Sequence, residues 1–256
     1  MAKLPPAEAL LQELGISQPS DIDLEVIAWH QGLKIKYREL TSCEARIVAL
    51  GDRGIITIDK RKLPERQRFS LGHELGHWHH HRGKCLVCRS DEIGAWSGEA
   101  VDPERVADAY ASDLLMPWYL FKPALRTAKR PSLALLRDIK ASFGVSLTAA
   151  AFRIIDSDQF PVMLIIHGEK KRKLFRPSSS VPRRWFPREE LDQESQAFDM
   201  LFGKARERQH PSKIGADAWF DRRDADRYEI FEQSFALPGN EVATLLIFED
   251  EDMLEE

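Results

Sequence analysis

The chain has 256 residues, of which 43% are hydrophobic and 30% charged, and its formal net charge is −4. This composition is ordinary for a soluble globular protein, and the negative charge argues against a dedicated nucleic-acid binder. No segment approaches the twenty or so apolar residues of a membrane-spanning helix, and the N-terminus lacks a secretory apolar core, so we expect a cytoplasmic protein without a membrane partner.

The first sixty residues predict a small sheet preceded by short helices. Apolar periodicity favours two helices and three strands, at residues 7–15, 24–31, 33–37, 46–50 and 55–59. The turn at residues 51–54 joins the last two strands. We expect the strand at 55–59 to form the open edge of the sheet, where an extended peptide can add through main-chain hydrogen bonds.

The most specific motif is His-Glu-Leu-Gly-His at residues 73–77, in a predicted helix over residues 64–83. Two histidines four residues apart lie on one face of a helix, so both imidazoles can reach a single ion. The glutamate between them can point at a metal-bound water, which is the arrangement of a zinc-dependent peptidase. We therefore predict His73 and His77 as metal ligands and Glu74 as the general base, in a fold of the zincin type.

A catalytic zinc needs a third protein ligand and an open fourth position. We predict that Glu104 is this ligand, in a helix that opens with a capping pair at residues 102–103. Asp108 lies one turn further along the same face, where it can accept the free N–H of a metal-bound histidine and fix its tautomer. Glu92 and Glu99 are rival ligands, in a stretch whose helical pattern is weaker.

These residues are parts of a longer pattern. Residues 68–77 read Arg-Phe-Ser-Leu-Gly before the histidine motif, residues 104–111 read Glu-x-x-Ala-Asp-x-Tyr-Ala, and residues 114–117 read Leu-Leu-Met-Pro. The pattern resembles the ImmA/IrrE family of bacterial metallo-endopeptidases. Because the family's usual form is Glu-x-x-Ala-Asn-x-Phe-Ala, Asp108 and Tyr110 are variants of its asparagine and phenylalanine.

The resemblance implies a site, a cofactor and a substrate class. Its metal ligands and its general base correspond to His73, His77, Glu104 and Glu74. One zinc ion is expected, with manganese or another divalent metal as the alternative. The implied substrate is a transcriptional repressor of the helix-turn-helix type, whose cleavage relieves repression under stress or in mobile elements. Tyr110 either helps to stabilise the tetrahedral oxyanion or only packs in the helix core, and we favour the packing role.

Cys85 and Cys88 form a C-x-x-C pair just after the histidine run at residues 79–81. Two thiolates and two imidazoles could hold a second, structural zinc, and exposed thiols could sense oxidation. A single such pair is a weak signal, so we favour a reduced pair in a solvated loop. Three cysteines in all also argue against an obligatory disulfide framework.

The second half of the chain predicts helices followed by a mixed sheet. Helices are expected at residues 118–127, 132–143, 146–156 and 189–202, and strands at 162–166, 216–220, 228–235 and 241–248, with a hairpin partner ending at 175. The helices on either side of Gly144 have the shape of a helix-turn-helix, with Ser146 as a cap. Helical hairpins are common scaffolding, so we expect this pair to pack against the peptidase domain. We expect Trp185 and Trp219 to be core or rim aromatics.

Together these patterns predict an α+β fold in three parts. A zincin-like metallopeptidase domain covers residues 1–127, a helix-turn-helix-like segment 128–160, and a C-terminal α/β sensor or docking domain 161–256, where relatives can carry a GAF-like domain. The predicted function is zinc-dependent cleavage of a repressor, without direct nucleic-acid binding. Two alternatives stay open: a metal-binding regulator that sequesters a repressor without cutting it, and a DNA-binding regulator built on residues 132–156.

Overall fold

A computed structural model describes residues 4–80 and 102–255 of the chain. Helices and two sheets account for most of these residues, and the predicted α+β class is confirmed. These described residues divide into two compact units, the first within residues 1–126 and 140–146 and the second within residues 127–139 and 147–256. The predicted domain boundaries and the GAF-like assignment stay predictions. None of the helices in the described part has the length and apolar content that crossing a membrane requires.

The first unit contains five helices and three strands among its described residues. The helices are α1 (Pro6–Glu13), α2 (Leu24–His30), α3 (Pro64–His80), α4 (Pro103–Leu115) and α5 (Trp118–Leu125), and the strands are β1 (Leu33–Arg38), β2 (Ala45–Leu50) and β3 (Arg53–Asp59). Proline occupies the first position of α4, and the Asp102 side chain accepts a hydrogen bond from the Glu104 amide. The start that the sequence predicts for α4 is therefore confirmed.

The small sheet has the strand order β1-β3-β2, with β1 parallel and β2 antiparallel to β3. The prediction that residues 55–59 form the open edge is wrong, because β3 is the central strand. Its last four residues, 56–59, are buried. The open edges belong to β1 and β2, and α3 packs beside β2 and β3.

The second unit is built on a five-stranded antiparallel sheet of order β5-β4-β8-β7-β6. Its elements are α6 (Leu133–Phe143), which begins in this unit, α7 (Leu147–Asp156), β4 (Val162–Gly168), β5 (Arg172–Pro177), α8 (Gln196–Phe202), β6 (Ser212–Gly215), β7 (Glu229–Leu237), β8 (Glu241–Ile247) and α9 (Glu251–Leu254). The apolar side of α7 packs on β4, and the expected packing of the helix pair on the peptidase domain stays a prediction.

Two predicted elements of the second unit differ from the observed ones. The strand expected at residues 216–220 is a single 3-10 turn at Ala216–Ala218, which brings Trp219 and Phe220 into the core. The helix expected from residue 189 begins only at Gln196, because the Ser195 hydroxyl caps it by accepting from the Phe198 amide.

The core of the second unit surrounds two buried tryptophans. Trp185 donates from its ring nitrogen to the Met253 carbonyl at 2.7 Å, and Trp219 donates to the Glu232 carboxylate at 3.0 Å. Both side chains are at most 2% exposed, which confirms the prediction of core aromatics. The hydrogen bonds satisfy the polar edge of each ring inside an apolar cluster.

His167 on β4 is a buried titratable group in this unit, with its ring centroid 5.9 Å from that of Trp219. Burial, and then the positive charge of Arg172, lowers the pKa of His167 to about 4. An unfolded histidine titrates near pH 6.5, so the unfolded chain binds this proton more strongly than the folded chain between these values. The stability contributed by neutral His167 is complete above about pH 6.5 and is lost as the pH falls toward 4.

Because of this group, we expect the unfolding free energy of the wild type to fall by about 2 kcal/mol when the pH is lowered from about 7.5 to about 5. The unfolding free energy of the His167→Leu variant should therefore fall by about 2 kcal/mol less than that of the wild type between the two pH values. Urea unfolding of both proteins at the two pH values measures the difference. An identical pH dependence for wild type and variant would show that His167 is not the titrating group.

Candidate metal centre

Helices α3 and α4 approach each other closely at two pairs of small residues. A Cβ atom added to Gly76 would lie 2.8 Å from the Cα atom and 2.9 Å from the carbonyl oxygen of Ala107. One added to Gly72 would lie 3.3 Å from the Cβ atom of Ala111. The absence of a side chain at both glycines permits this contact. The pairing runs in opposite directions along the two helices, and it brings the first two turns of α4 beside the histidines of α3.

The close approach assembles three donor groups. The Nε2 atoms of His73 and His77 are 2.9 Å apart. The two carboxylate oxygens of Glu104 lie 3.1 Å from His73 Nε2 and 3.3 Å from His77 Nε2. Both histidines are buried and Glu104 is partly buried. The structure thus brings together the three residues that the sequence predicts as metal ligands.

Asp108 reaches the same cluster from one turn further along α4. Its Oδ1 atom lies 2.8 Å from His73 Nδ1. A carboxylate accepts hydrogen bonds, so this contact favours the His73 tautomer that has its proton on Nδ1. The Nε2 atom of His73 then presents its lone pair to the cluster, which is the tautomer that a metal ligand needs.

The cluster keeps the Glu104 carboxylate ionised. Proximity to the His73 ring first, and then to the His77 ring, lowers the pKa of Glu104 to about 2. Glu74 follows His73 on α3 and is fully buried. The remaining acids that the sequence offers as rivals, Glu92 and Glu99, lie outside the described residues, as do Cys85 and Cys88.

Tyr110 lies on the same stretch of α4 with its side chain buried. Its ring stacks on His79 at a centroid distance of 5.3 Å and meets His80 edge-on at 5.8 Å. Burial raises the pKa of Tyr110 to about 12, so the phenol is neutral at ordinary pH. The ring contacts of Tyr110 favour the packing role. Its role in stabilising an oxyanion stays a prediction.

The donor set fits a divalent ion of the zinc type. Two imidazole nitrogens and one carboxylate are the ligands of many catalytic zinc sites, and ligands of a tetrahedral zinc lie about 3.3 Å apart. The observed separations of 2.9 to 3.3 Å are close to that spacing. Within residues 4–80 and 102–255, this is the one group of three or more His, Cys, Asp or Glu side chains placed to share an ion.

The Gly76 contact makes a prediction about the assembly of the cluster. Alanine at residue 76 would press on the backbone of Ala107, which cannot move without carrying Glu104 with it. We expect Gly76→Ala to destabilise the protein by about 1 to 3 kcal/mol and to weaken metal binding. Gly72→Ala is the matched control and should have a smaller effect on both, because its added Cβ atom would approach no atom of Ala111 closer than 3.3 Å. Chemical unfolding measures the stability and metal titration measures the affinity. Equal effects of Gly76→Ala and Gly72→Ala would contradict the proposed helix contact.

Comparisons with known proteins agree with this geometry. The family model of the IrrE N-terminal-like domain, Peptidase M78, matches residues 25–154. Among solved structures, a Mycobacterium tuberculosis transcriptional regulator superposes with a TM-score of 0.59 at 16% sequence identity, over 94% of this chain and 85% of that chain. At this identity the likeness shows a common fold. A comparison with curated proteins gives no match.

Proposed function

The chain belongs to the Peptidase M78 family of IrrE N-terminal-like proteins, and from this premise we propose that it is a zinc-dependent endopeptidase that cleaves a helix-turn-helix repressor. The membership confirms the resemblance to the ImmA/IrrE family and implies a metallopeptidase. The observation that carries the proposal is the triangle of His73, His77 and Glu104 donor atoms. A hydrolase that cleaves a repressor would relieve repression without binding DNA itself.

His73, His77 and Glu104 would hold the zinc ion. When bound, the ion lowers the pKa of a water molecule and polarises the scissile carbonyl. Glu74 takes the proton from the attacking water and later delivers it to the leaving amine. Its burial favours this role, because charges interact strongly in a site from which water is excluded.

We place the extended substrate on the open edge of β2. Among the described strands β2 pairs only with β3, so the outer main-chain groups of Ala45–Leu50 are available to a peptide. Helix α3, which carries the histidines, packs against β2 and β3. A peptide added to this edge would run beside the helix of the metal centre.

Asp108 acts through His73 in this proposal. Groups that orient a metal-bound histidine typically contribute 10- to 100-fold to metal affinity. We expect Asp108→Ala to weaken zinc binding by about that factor. Asp108→Asn should weaken zinc binding less, because the amide oxygen still accepts from Nδ1. Competition with a zinc-binding dye measures both affinities. Wild-type affinity in Asp108→Ala would exclude the positioning role.

The experiment that tests the function compares new protein N-termini in cells that express the wild type or Glu74→Gln. We expect a fragment of a helix-turn-helix repressor with the wild type only. Fragments in both cultures, or in neither, would contradict proteolysis by this site. Relief of repression by Glu74→Gln without any fragment would instead indicate that the chain sequesters the repressor.

A further inference from the structure

One face of the small sheet of the first unit carries mostly exposed or half-buried side chains. The strand register places alternate residues of β1, β2 and β3 side by side on this face. Lys36 and Arg46 both pair with Thr57, and Lys34 and Val48 both pair with Ile55. We call this surface the outer face; it consists of Lys34, Lys36, Arg38, Arg46, Val48, Leu50, Arg53, Ile55, Thr57 and Asp59, the last of which pairs with Arg38 in the strand register. The opposite face carries the buried aliphatic residues of the core.

The outer face is strongly cationic. Its lysines and arginines are all exposed. Within the part of the chain that the structure describes, no acidic side chain forms an ion pair with them. The acids near the sheet are already paired: Glu39 with Lys60 at 3.1 Å, and Asp59 with Arg61 at 2.7 Å. A positive patch of this kind on a chain with a net charge of −4 attracts anionic partners.

On β2, the outer face carries two exposed aliphatic side chains beside Arg46. Val48 is 65% exposed and Leu50 is 88% exposed, although both are aliphatic. Ile55 lies half-buried between them and the lysines of β1. Covering these side chains would be favourable by about 25 cal/mol for each Å² of apolar surface removed from water. The face therefore combines cationic side chains with exposed aliphatic ones.

This combination favours a protein partner over a nucleic acid. Sheets that bind single-stranded nucleic acid stack bases on aromatic side chains. The outer face contains no aromatic residue. An exposed leucine and valine gain nothing from a phosphate backbone, whereas an amphipathic protein segment can cover them while its acids meet the lysines.

We propose that the outer face is a docking surface for an acidic, amphipathic protein segment with glutamate or aspartate on one side and aliphatic residues on the other. The metal centre takes no part in this contact. Docking therefore does not depend on the proposed peptidase activity, and Glu74→Gln binds such a segment as tightly as the wild type.

The test uses the full chain and a labelled synthetic peptide of about twenty residues, with glutamates on one helical side and leucines on the other. Fluorescence anisotropy measures the dissociation constant. We expect the wild type to bind, and binding to weaken when salt rises from about 50 to about 300 mM. Lys34→Glu combined with Lys36→Glu should raise the dissociation constant at least about tenfold, and Leu50→Ser should raise it several-fold.

The matched control is Lys170→Glu combined with Lys171→Glu, which makes the same charge change in the exposed turn between β4 and β5. It should leave peptide binding within about twofold of the wild type. Equal binding by the wild type and the outer-face variants would overturn the proposal. The proposal would also be overturned if a peptide with lysine in place of glutamate bound the wild type as tightly as the acidic peptide does. Tighter binding of a DNA duplex, weakened by the same variants, would assign the face to nucleic acid instead.

Discussion

Replacing Glu74 by glutamine is expected to abolish peptide hydrolysis and to leave metal binding intact. The amide has the shape of the carboxylate but cannot accept the proton of the attacking water. General-base catalysis contributes about 10² to 10⁴ in rate, so we expect kcat to fall about a thousandfold or more. Glu74 is not one of the three residues whose donor atoms converge, so the metal content should stay at the wild-type value. Initial cleavage rates and elemental analysis of the same preparations measure both.

The control for this variant is Glu65→Gln, the same substitution in the first turn of α3, where Glu65 forms an ion pair with Lys140. It should keep wild-type cleavage. Full proteolysis by Glu74→Gln would refute the assigned base, and loss of metal from that variant would show that Glu74 has a structural part in the centre.

Replacing Glu104 by alanine should remove the metal and the activity together. The substitution leaves two imidazoles of the α3 helix without their carboxylate partner on α4. Loss of a direct ligand exceeds the 10- to 100-fold effect of a group that only orients one, so we expect affinity to fall by more than about a hundredfold. Zinc titration against a competing chelator measures the affinity, and peptide cleavage measures the activity.

Asp113→Ala provides the matched control on the same helix, because it removes a carboxylate nine residues further along α4. Zinc affinity of that variant should equal the wild-type value. A Glu104→Ala variant that binds zinc normally would show that another acid is the third ligand.

The donor residues could be predicted from sequence because helical periodicity is local. Residues four apart share a face in any helix, so the two histidines had to lie together, as did Glu104 and Asp108. Proline and a capping aspartate marked the start of α4 for similarly local reasons. The meeting of the two helices was a weaker inference, since it followed from the need for a third ligand.

The contact that joins the helices was missed, although the sequence contains a signal for it. Gly72 and Gly76 are four residues apart on α3, and Ala107 and Ala111 are four apart on α4. Small residues at this spacing make a smooth stripe along a helix, and two such stripes permit close approach. Only the three-dimensional pairing shows that these stripes face each other.

Strand order was predicted wrongly because it depends on contacts distant in sequence. The turn at Gly51 correctly indicated that β2 and β3 are neighbours, but it carries no information about the other side of β3. Strand β1 takes that side in parallel orientation, and the peptide-binding edge moves to β2 in our proposal. The single turn at Ala216–Ala218 misled for a different reason, because a short apolar run suits either a strand or a helical turn.

The most direct test of the account is X-ray absorption at the zinc edge on the purified, zinc-loaded chain, with the metal quantified in the same sample. We predict one ion per chain, surrounded by two imidazoles and oxygen donors at about 2.0 to 2.2 Å, and this signal should be lost in Glu104→Ala. Sulfur neighbours at about 2.3 Å, or a wild-type spectrum from Glu104→Ala, would contradict a centre built from α3 and α4.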